Sequence, residues 1–261
     1  METYVSPCEQ VQVKLVARVL RLRLCRPNYK NALTLEMYTA LADALDHAGR
    51  NPEVRALLLE GSEGCFTSGN DLLDFMNNPE ISEQHPVVRF MRALQQCGKP
   101  VVASVCGPAV GIGTTLLLHC DLVYAAEDAR FQLPFVNLGL CPEFGASYLL
   151  PRLLGQVRAS ELLLLGEVFD GRRAEQLGLV NAAMPEVDLY DYVEDKLSHL
   201  AAKPPAAVAR TRKLLRQRQE ALLEASIAAE FIGFAEGLGS EECKEAITAF
   251  FEKRVPNFSH F

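Results

Sequence analysis

One carboxylate, Glu143, interrupts a stretch made almost wholly of apolar residues, small residues and turn formers, LPFVNLGLCPEFGASYLLP from Leu133 to Pro151. An acid in such a setting either occupies the wet corner of a turn or is buried, with a pKa raised by desolvation into the range useful for proton transfer. Two other segments carry the residue types that could stabilise the anion such a transfer leaves behind. Gly111-Ile112-Gly113 opens an apolar helical run, and the first N–H groups of a helix lack internal partners and attract negative charge. The turn Ser68-Gly69-Asn70 could add a second N–H donor and complete an oxyanion hole. The glycines equally suit close packing of a helix on a strand, and spacing does not choose between the two. Asp71 and Asp74 offer further carboxylates, with Asp71 better suited to fixing its own turn. The G-x-G spacing does not extend to a dinucleotide fingerprint, because no third glycine and no acidic residue closing a second strand follow at the required distances.

The elements around these segments read as α/β. VQVKLVARVLRLRL (11–24) alternates and then changes register at Ala17 and Arg18, which predicts a strand, a tight turn and a second strand. Leu35, Tyr38, Leu41, Ala42 and Leu45 follow helical spacing after Thr34, a suitable N-cap. VRALLLEG, PVVASVCG and DLVYAA are short apolar runs of the kind that form buried parallel strands, and IGTTLLLHC between the last two reads as helical. Buried strands separated by helices imply parallel pairing with helical crossovers. From about residue 158 the chain reads as helices broken by glycine and proline.

Composition narrows the partners. The 261 residues are 49% hydrophobic and 23% charged, with a net charge of −7. That balance offers no basic surplus for a phosphate backbone, so nucleic acid is not expected. No apolar run of membrane-spanning length and no leader-like N-terminus is evident, so the expectation is a soluble, cytoplasmic protein with no membrane partner. Eight cysteines without C-x-x-C spacing read as reduced core thiols, and five histidines without H-E-x-x-H give no reason to expect a metal.

FTSGNDL, the long segment from Lys99 to Gly155, and AEQLGLVNAAMP together resemble the crotonase (enoyl-CoA hydratase/isomerase) superfamily across nearly the whole chain. SGNDL, GPAVGI and PEFGASY are most similar to the peroxisomal-type Δ3,Δ2-enoyl-CoA isomerases. The resemblance implies a spiral of ββα units in residues 1–200 that holds an acyl-CoA site. It also implies a C-terminal helical region, 201–261, that builds a homotrimer or hexamer. The substrate would be an acyl-CoA thioester, with coenzyme A part of the substrate and no separate cofactor. Carried over by position, the oxyanion donors would be Asn70 and Ile112, flanked by Ser68, Gly69, Leu72 and Gly111. RPNYKNAL would line the CoA, with Ala32 beside it and Lys30 at a phosphate. Phe135 and Leu138 would flank the acyl pocket, and Phe250 and Lys253 would reach a neighbouring subunit's CoA.

The two positions at which hydratases of this superfamily carry water-activating glutamates match Thr115 and Phe135, neither of them acidic, whereas Glu143 falls where the isomerases carry their single acid. The expected reaction is therefore isomerisation of 3-enoyl-CoA to trans-2-enoyl-CoA by a single-glutamate proton shuttle. A different crotonase-type reaction, such as hydration, and a non-catalytic acyl-CoA-binding module are the alternatives.

Overall fold

The fold starts from a two-residue hairpin. Ala17 and Arg18 have φ of 47° and 67°, the paired left-handed geometry whose twist matches antiparallel strands, and they join β1 (Val11–Val16) to β2 (Val19–Leu24). The computed structural model describes residues 4–77, 82, 84–217 and 220–261. β2 runs parallel to β3 (Ala56–Glu60), β3 to β4 (Val101–Val105), β4 to β6 (Leu122–Ala126) and β6 to β9 (Ala182–Met184), giving the order β1-β2-β3-β4-β6-β9. β3 and β4 are almost wholly buried, which explains why ALLLE and VVASV are continuous apolar runs.

A second sheet, order β5-β7-β8, is built from the short strands β5 (Pro108–Val110), β7 (Arg130–Gln132) and β8 (Phe169–Asp170). The pairs β4/β5 and β6/β7 each take one strand from the large sheet and one from the small sheet before a helical segment, whereas β1 and β2 both lie in the large sheet ahead of the first helix. This is the ββα pattern expected of the core. The helical segments in the first part of the chain are α1 (Leu35–Arg50), α2 (Leu72–Asn77), α3 (Pro86–Gln96) and α4 (Ile112–Thr115). Thr34 caps α1 by accepting from the Met37 N–H at 3.3 Å, and α1 buries Met37, Tyr38, Leu41 and Leu45 against the sheet and α3.

The rest of the chain is mainly helical: α5 (Ala146–Leu154), α6 (Gln156–Leu165), α7 (Gly171–Leu177), α8 (Glu186–Ala201), α9 (Pro205–Arg216), α10 (Glu220–Leu238) and α11 (Glu241–Glu252). α8 covers the large sheet, α10 lies on α5, and α11 packs on the short 3-10 turn Val136–Leu138. The last contact is close. A Cβ at Gly139 would come within 2.7 Å of the Cys243 amide nitrogen, so the C-terminal helices press directly on the loop that leads to Glu143. Among the described residues no helix is long and apolar enough to cross a membrane.

Candidate active site

Glu143 lies between the 136–138 turn and α5, and the chain leaves it through two consecutive left-handed residues, Phe144 (φ 57°) and Gly145 (φ 75°). A phenylalanine in that region is disfavoured and must be held by its surroundings. His119 does so twice: its ring stacks on the Phe144 ring at 3.7 Å, and its Nε2 lies 2.7 Å from the Phe144 carbonyl oxygen. Burial pushes the His119 pKa down to about 4, so the imidazole is neutral near pH 7 and Nε2 must carry the proton that the carbonyl accepts. From the other side Glu230 of α10 accepts hydrogen bonds from the N–H groups of Gly145 (2.6 Å) and Ser147 (2.8 Å) and from the Ser147 hydroxyl (2.5 Å).

Held in this way, the Glu143 side chain is 9% exposed. The Thr115 hydroxyl donates to Oε1, while Oε2 is buried with no partner among the described residues. Burial raises the carboxyl pKa from 4.5 to about 8; the Thr115 hydrogen bond opposes that rise and the charge of Glu230 adds to it. Of the two settings open to this acid, the structure shows the buried one. An acid with one oxygen anchored and the other unpartnered, on a side chain that lines a cleft, is arranged to exchange a proton with something bound there.

Asn70 and Glu143 line the same cleft, of about 50 Å³. Val87, Val88 and Met91 of α3 form one apolar wall, and Ile227 and Phe231 of α10 another. The Asn70 side-chain oxygen accepts from the Tyr38 hydroxyl at 2.5 Å. In the bridge between Leu33 and Asn70, the paired groups are the Gly69 carbonyl and the Asp71 N–H, which turns the Asn70 N–H away from Leu33. Neither the Asn70 N–H nor the Ile112 N–H has an acceptor among the described residues. The two segments that carry them are tied edge to edge, by Thr67 N–H to the Pro108 carbonyl at 2.9 Å and Val110 N–H to the Thr67 carbonyl at 3.1 Å.

Gly69 (φ 95°) permits this approach, because a Cβ there would sit 2.8 Å from the Val110 carbonyl oxygen, and one at Gly113 would sit 2.6 Å from Thr67 Cγ2. The glycines thus serve close packing of the two segments that carry the Asn70 and Ile112 N–H groups. The helix behind Ile112 is short, four residues of α-helix and then the 3-10 turn Leu116–His119. Direct N–H donation, more than a summed helix dipole, is what this site can offer an oxyanion.

The remaining expected residues are distributed as follows. Lys30 is exposed, and its carbonyl accepts from the Ser68 N–H at 2.9 Å, so the RPNYKNAL segment lies against the Ser68–Asn70 segment. Ala32 is half-buried with its carbonyl bound by Arg26 at 3.0 Å, Leu72 begins α2, and Gly111 precedes α4 at φ 56°. Phe135 and Leu138 do not line the cleft. Phe135 is buried in the core, where its carbonyl accepts from the Leu138 N–H at 3.0 Å, and the dry surface near Glu143 comes from Phe144 and helices α3 and α10 instead. Phe250 (61% exposed) and Lys253, the left-handed C-cap of α11, stand outside the cleft of their own chain.

Asp71 is structural: it accepts from Arg26 at 2.7 Å and from the Asp74 N–H at 3.0 Å. Against the upward push of burial, those two bonds hold its carboxyl below the ordinary value. Asp74 accepts from the Leu35 N–H at 2.7 Å. Tyr38, His119, Asn31 and Glu230 are additions that the sequence reading did not single out. Asn31 is fully buried and ties the Arg26 N–H to the Cys65 carbonyl through its amide. Glu230 did carry a signal, since IAAEFIGF isolates one acid among apolar neighbours much as CPEFGA does.

Comparison with known proteins agrees with this architecture. A profile of the enoyl-CoA hydratase/isomerase family matches residues 15–260. The chain is 34% identical to the 2,3-dehydroadipyl-CoA hydratase of Escherichia coli (strain K12), over 92% of this chain and 95% of that one. It is also 34% identical to enoyl-CoA delta isomerase 2 of Rattus norvegicus, over 90% of this chain and 62% of the longer relative. The crystal structure of an enoyl-CoA hydratase/isomerase from Pseudoalteromonas atlantica T6c superposes with a TM-score of 0.92 at 42% identity, covering 96% of this chain and all of that one. The chain belongs to the enoyl-CoA hydratase/isomerase family and is an acyl-CoA enzyme of the crotonase type.

Proposed function

We propose that the enzyme isomerises 3-enoyl-CoA to trans-2-enoyl-CoA, with Glu143 as the only proton-transfer group. The observation that carries this reading is the Glu143 carboxyl itself: anchored at Oε1 by Thr115, unpartnered at Oε2 and facing an apolar cleft. As carboxylate it removes a C2 proton; the C–H electron pair moves into the C1–C2 bond and the thioester carbonyl becomes an enolate oxygen conjugated with the C3–C4 double bond. The Asn70 and Ile112 N–H groups receive that oxygen. Glu143, now a carboxylic acid, delivers the same proton to C4 as the double bond forms between C2 and C3. No atom is added or lost, so the reaction requires no cofactor. The likeness of SGNDL and PEFGASY to the peroxisomal-type isomerases, and the similarity to the rat delta isomerase, support this choice.

Hydration is the second reading, favoured by the similarity to the Escherichia coli hydratase and by a second acid, Glu230, at the same cleft. Both Glu230 oxygens are occupied by backbone and hydroxyl donors, however, which suits a structural anion better than a base for water. For the assembly we infer a homotrimer or a pair of trimers, with 201–261 as the associating region and Lys30, Phe250 and Lys253 as CoA contacts. Phe250, Phe251, Leu164 and Leu165, all large, apolar and exposed on the protomer, support burial against another copy. The test is direct: purified protein is given a 3-enoyl-CoA and a trans-2-enoyl-CoA in separate reactions. Conversion of the first with Glu143 intact, and its loss in Glu143→Gln, is the expected outcome; hydration of the second as the faster reaction overturns it.

A further inference from the structure

The second buried acid, Glu230, has no step in the proposed reaction, yet it is built into the site from three directions. It is 7% exposed on an otherwise apolar face of α10. Its Oε2 accepts from the Gly145 N–H and its Oε1 from both the N–H and hydroxyl of Ser147, so it grips the first turn of α5 directly after Glu143. The grip is reinforced by shape. A Cβ at Gly145 would come within 2.3 Å of Leu223 Cδ1, and the Cys141 thiol lies 3.4 Å from the Glu230 carbonyl oxygen on the other side of Glu143. Ile227 and Phe231 of the same helix line the cleft that Glu143 faces.

We propose that Glu230 is a positioning residue for the Glu143 carboxylate: its charge, presented by α10, clamps the left-handed Phe144–Gly145 turn and couples that helix to the aim and proton affinity of the acid. This rests on Glu143 being the proton-transfer group. Burial raises the Glu230 carboxyl above its ordinary value, the three hydrogen bonds from Ser147 and Gly145 oppose that rise by favouring the charged form, and a negative charge on Glu230 makes a second one on Glu143 harder to create.

The other titratable groups around the pair stay neutral near pH 7. From α1, the Tyr38 phenol is pushed well above its usual value by burial, the nearby Glu143 adding to it. From the 116–119 turn, His119 is held at about 4 by burial. On the loop itself burial raises the Cys141 thiol, with Glu230, Glu143 and Glu236 adding to the rise. Arg216 of α9 is a cation behind His119, bound to the His119 carbonyl at 2.6 Å and to Asp121 at 3.0 Å. α3 presents only Val87, Val88 and Met91 to the cleft.

The test is Glu230→Gln in the full-length protein, read by two measurements. The midpoint of Glu143 is followed by carbon NMR of carboxyl-labelled glutamate, its resonance assigned by its loss in Glu143→Gln, and kcat and KM are measured with a 3-enoyl-CoA above that midpoint. The amide keeps the volume but removes the charge and turns an N–H2 toward one backbone N–H. The expected result is a Glu143 midpoint lower by about half a pH unit or more. It comes with a kcat lower by about tenfold or more and a KM within about twofold, as for a reacting group displaced by a fraction of an ångström. An unmoved midpoint overturns the proposal, whatever happens to kcat. Ser147→Ala keeps both backbone bonds and the Glu230 charge and so guards against a misfolded amide variant; its midpoint should stay at or above the wild-type value, and a fall as large as that of Glu230→Gln overturns the proposal. If the midpoint moves but Glu143→Gln isomerises at the wild-type rate, the coupling stands and the proton-shuttle reading falls.

Discussion

Replacing Glu143 with glutamine should make the protein more stable and nearly inactive, and the size of the stability gain should depend on pH. The glutamine keeps the side-chain shape and an oxygen for the Thr115 hydroxyl, but it cannot ionise. In the native wild type burial raises the carboxyl from 4.5 to about 8. Below pH 4.5 both folded and unfolded chains hold this proton, and the side chain adds no pH dependence. Between 4.5 and 8 the unfolded chain ionises while the folded one does not, so wild-type stability falls as pH rises, and above 8 the loss is complete. At ~1.4 kcal/mol per pH unit the full loss is about 5 kcal/mol at most.

Glu60, another acid with a raised value, is common to both proteins and cancels when the two are compared. Denaturant unfolding of wild type and Glu143→Gln at several pH values reads the difference directly. It should grow from pH 4.5 to 8 and then level off. A difference independent of pH, or a wild type that gains on the variant as pH rises, refutes the buried, proton-retaining acid. On the proposed mechanism, kcat/KM of the wild type should climb to a plateau above pH 8, and the variant should fall by about a hundredfold or more, the scale of a lost proton-transfer group.

Thr115→Val removes the hydroxyl that lowers the Glu143 pKa, so the rising limb of the pH–rate profile should move to higher pH; an unmoved limb would show that the hydrogen bond is not made in solution. Gly69→Ala forces a Cβ to 2.8 Å from the Val110 carbonyl at φ 95° and should cost about 1–3 kcal/mol of stability or about tenfold or more in kcat, as strained left-handed positions do; a silent substitution would contradict the close pairing of the two N–H segments. Sedimentation should give a trimer or a multiple of it, and removal of the residues after Ile247 should weaken both assembly and CoA-ester binding. A fully active monomer would remove the proposed role of Phe250 and Lys253.

The parts of the fold that were legible before the structure are those governed by local rules. The hairpin at Ala17–Arg18, the Thr34 cap and the apolar strands ending near Glu60 and Val105 follow from period, capping and turn geometry, each decided within a few residues. Glu143 was legible by contrast with its neighbours. What keeps it in place was not, because the contacts are long-range: His119 reaches Phe144 across 25 residues, and Glu230 reaches Gly145 across 85. The run after Ile112 is apolar all round, so no periodicity marked where its α-helix gives way to the 3-10 turn at Leu116. Phe135 and Leu138 stand close to Glu143 in sequence, but the 3-10 turn directs them away from the cleft, and residues of α3 and α10 supply the dry wall in their place.

The most direct test of the single-shuttle account is to incubate a trans-2-enoyl-CoA with the enzyme in D2O and follow the ester by mass spectrometry. If Glu143 alone carries a proton between C4 and C2, and its carboxylic acid exchanges with solvent in the fraction of turnovers in which the bound dienolate outlives the exchange, deuterium should enter at C4 through the reverse reaction, with little 3-hydroxyacyl-CoA formed. Rapid appearance of the hydrated product without exchange at C4 would contradict it.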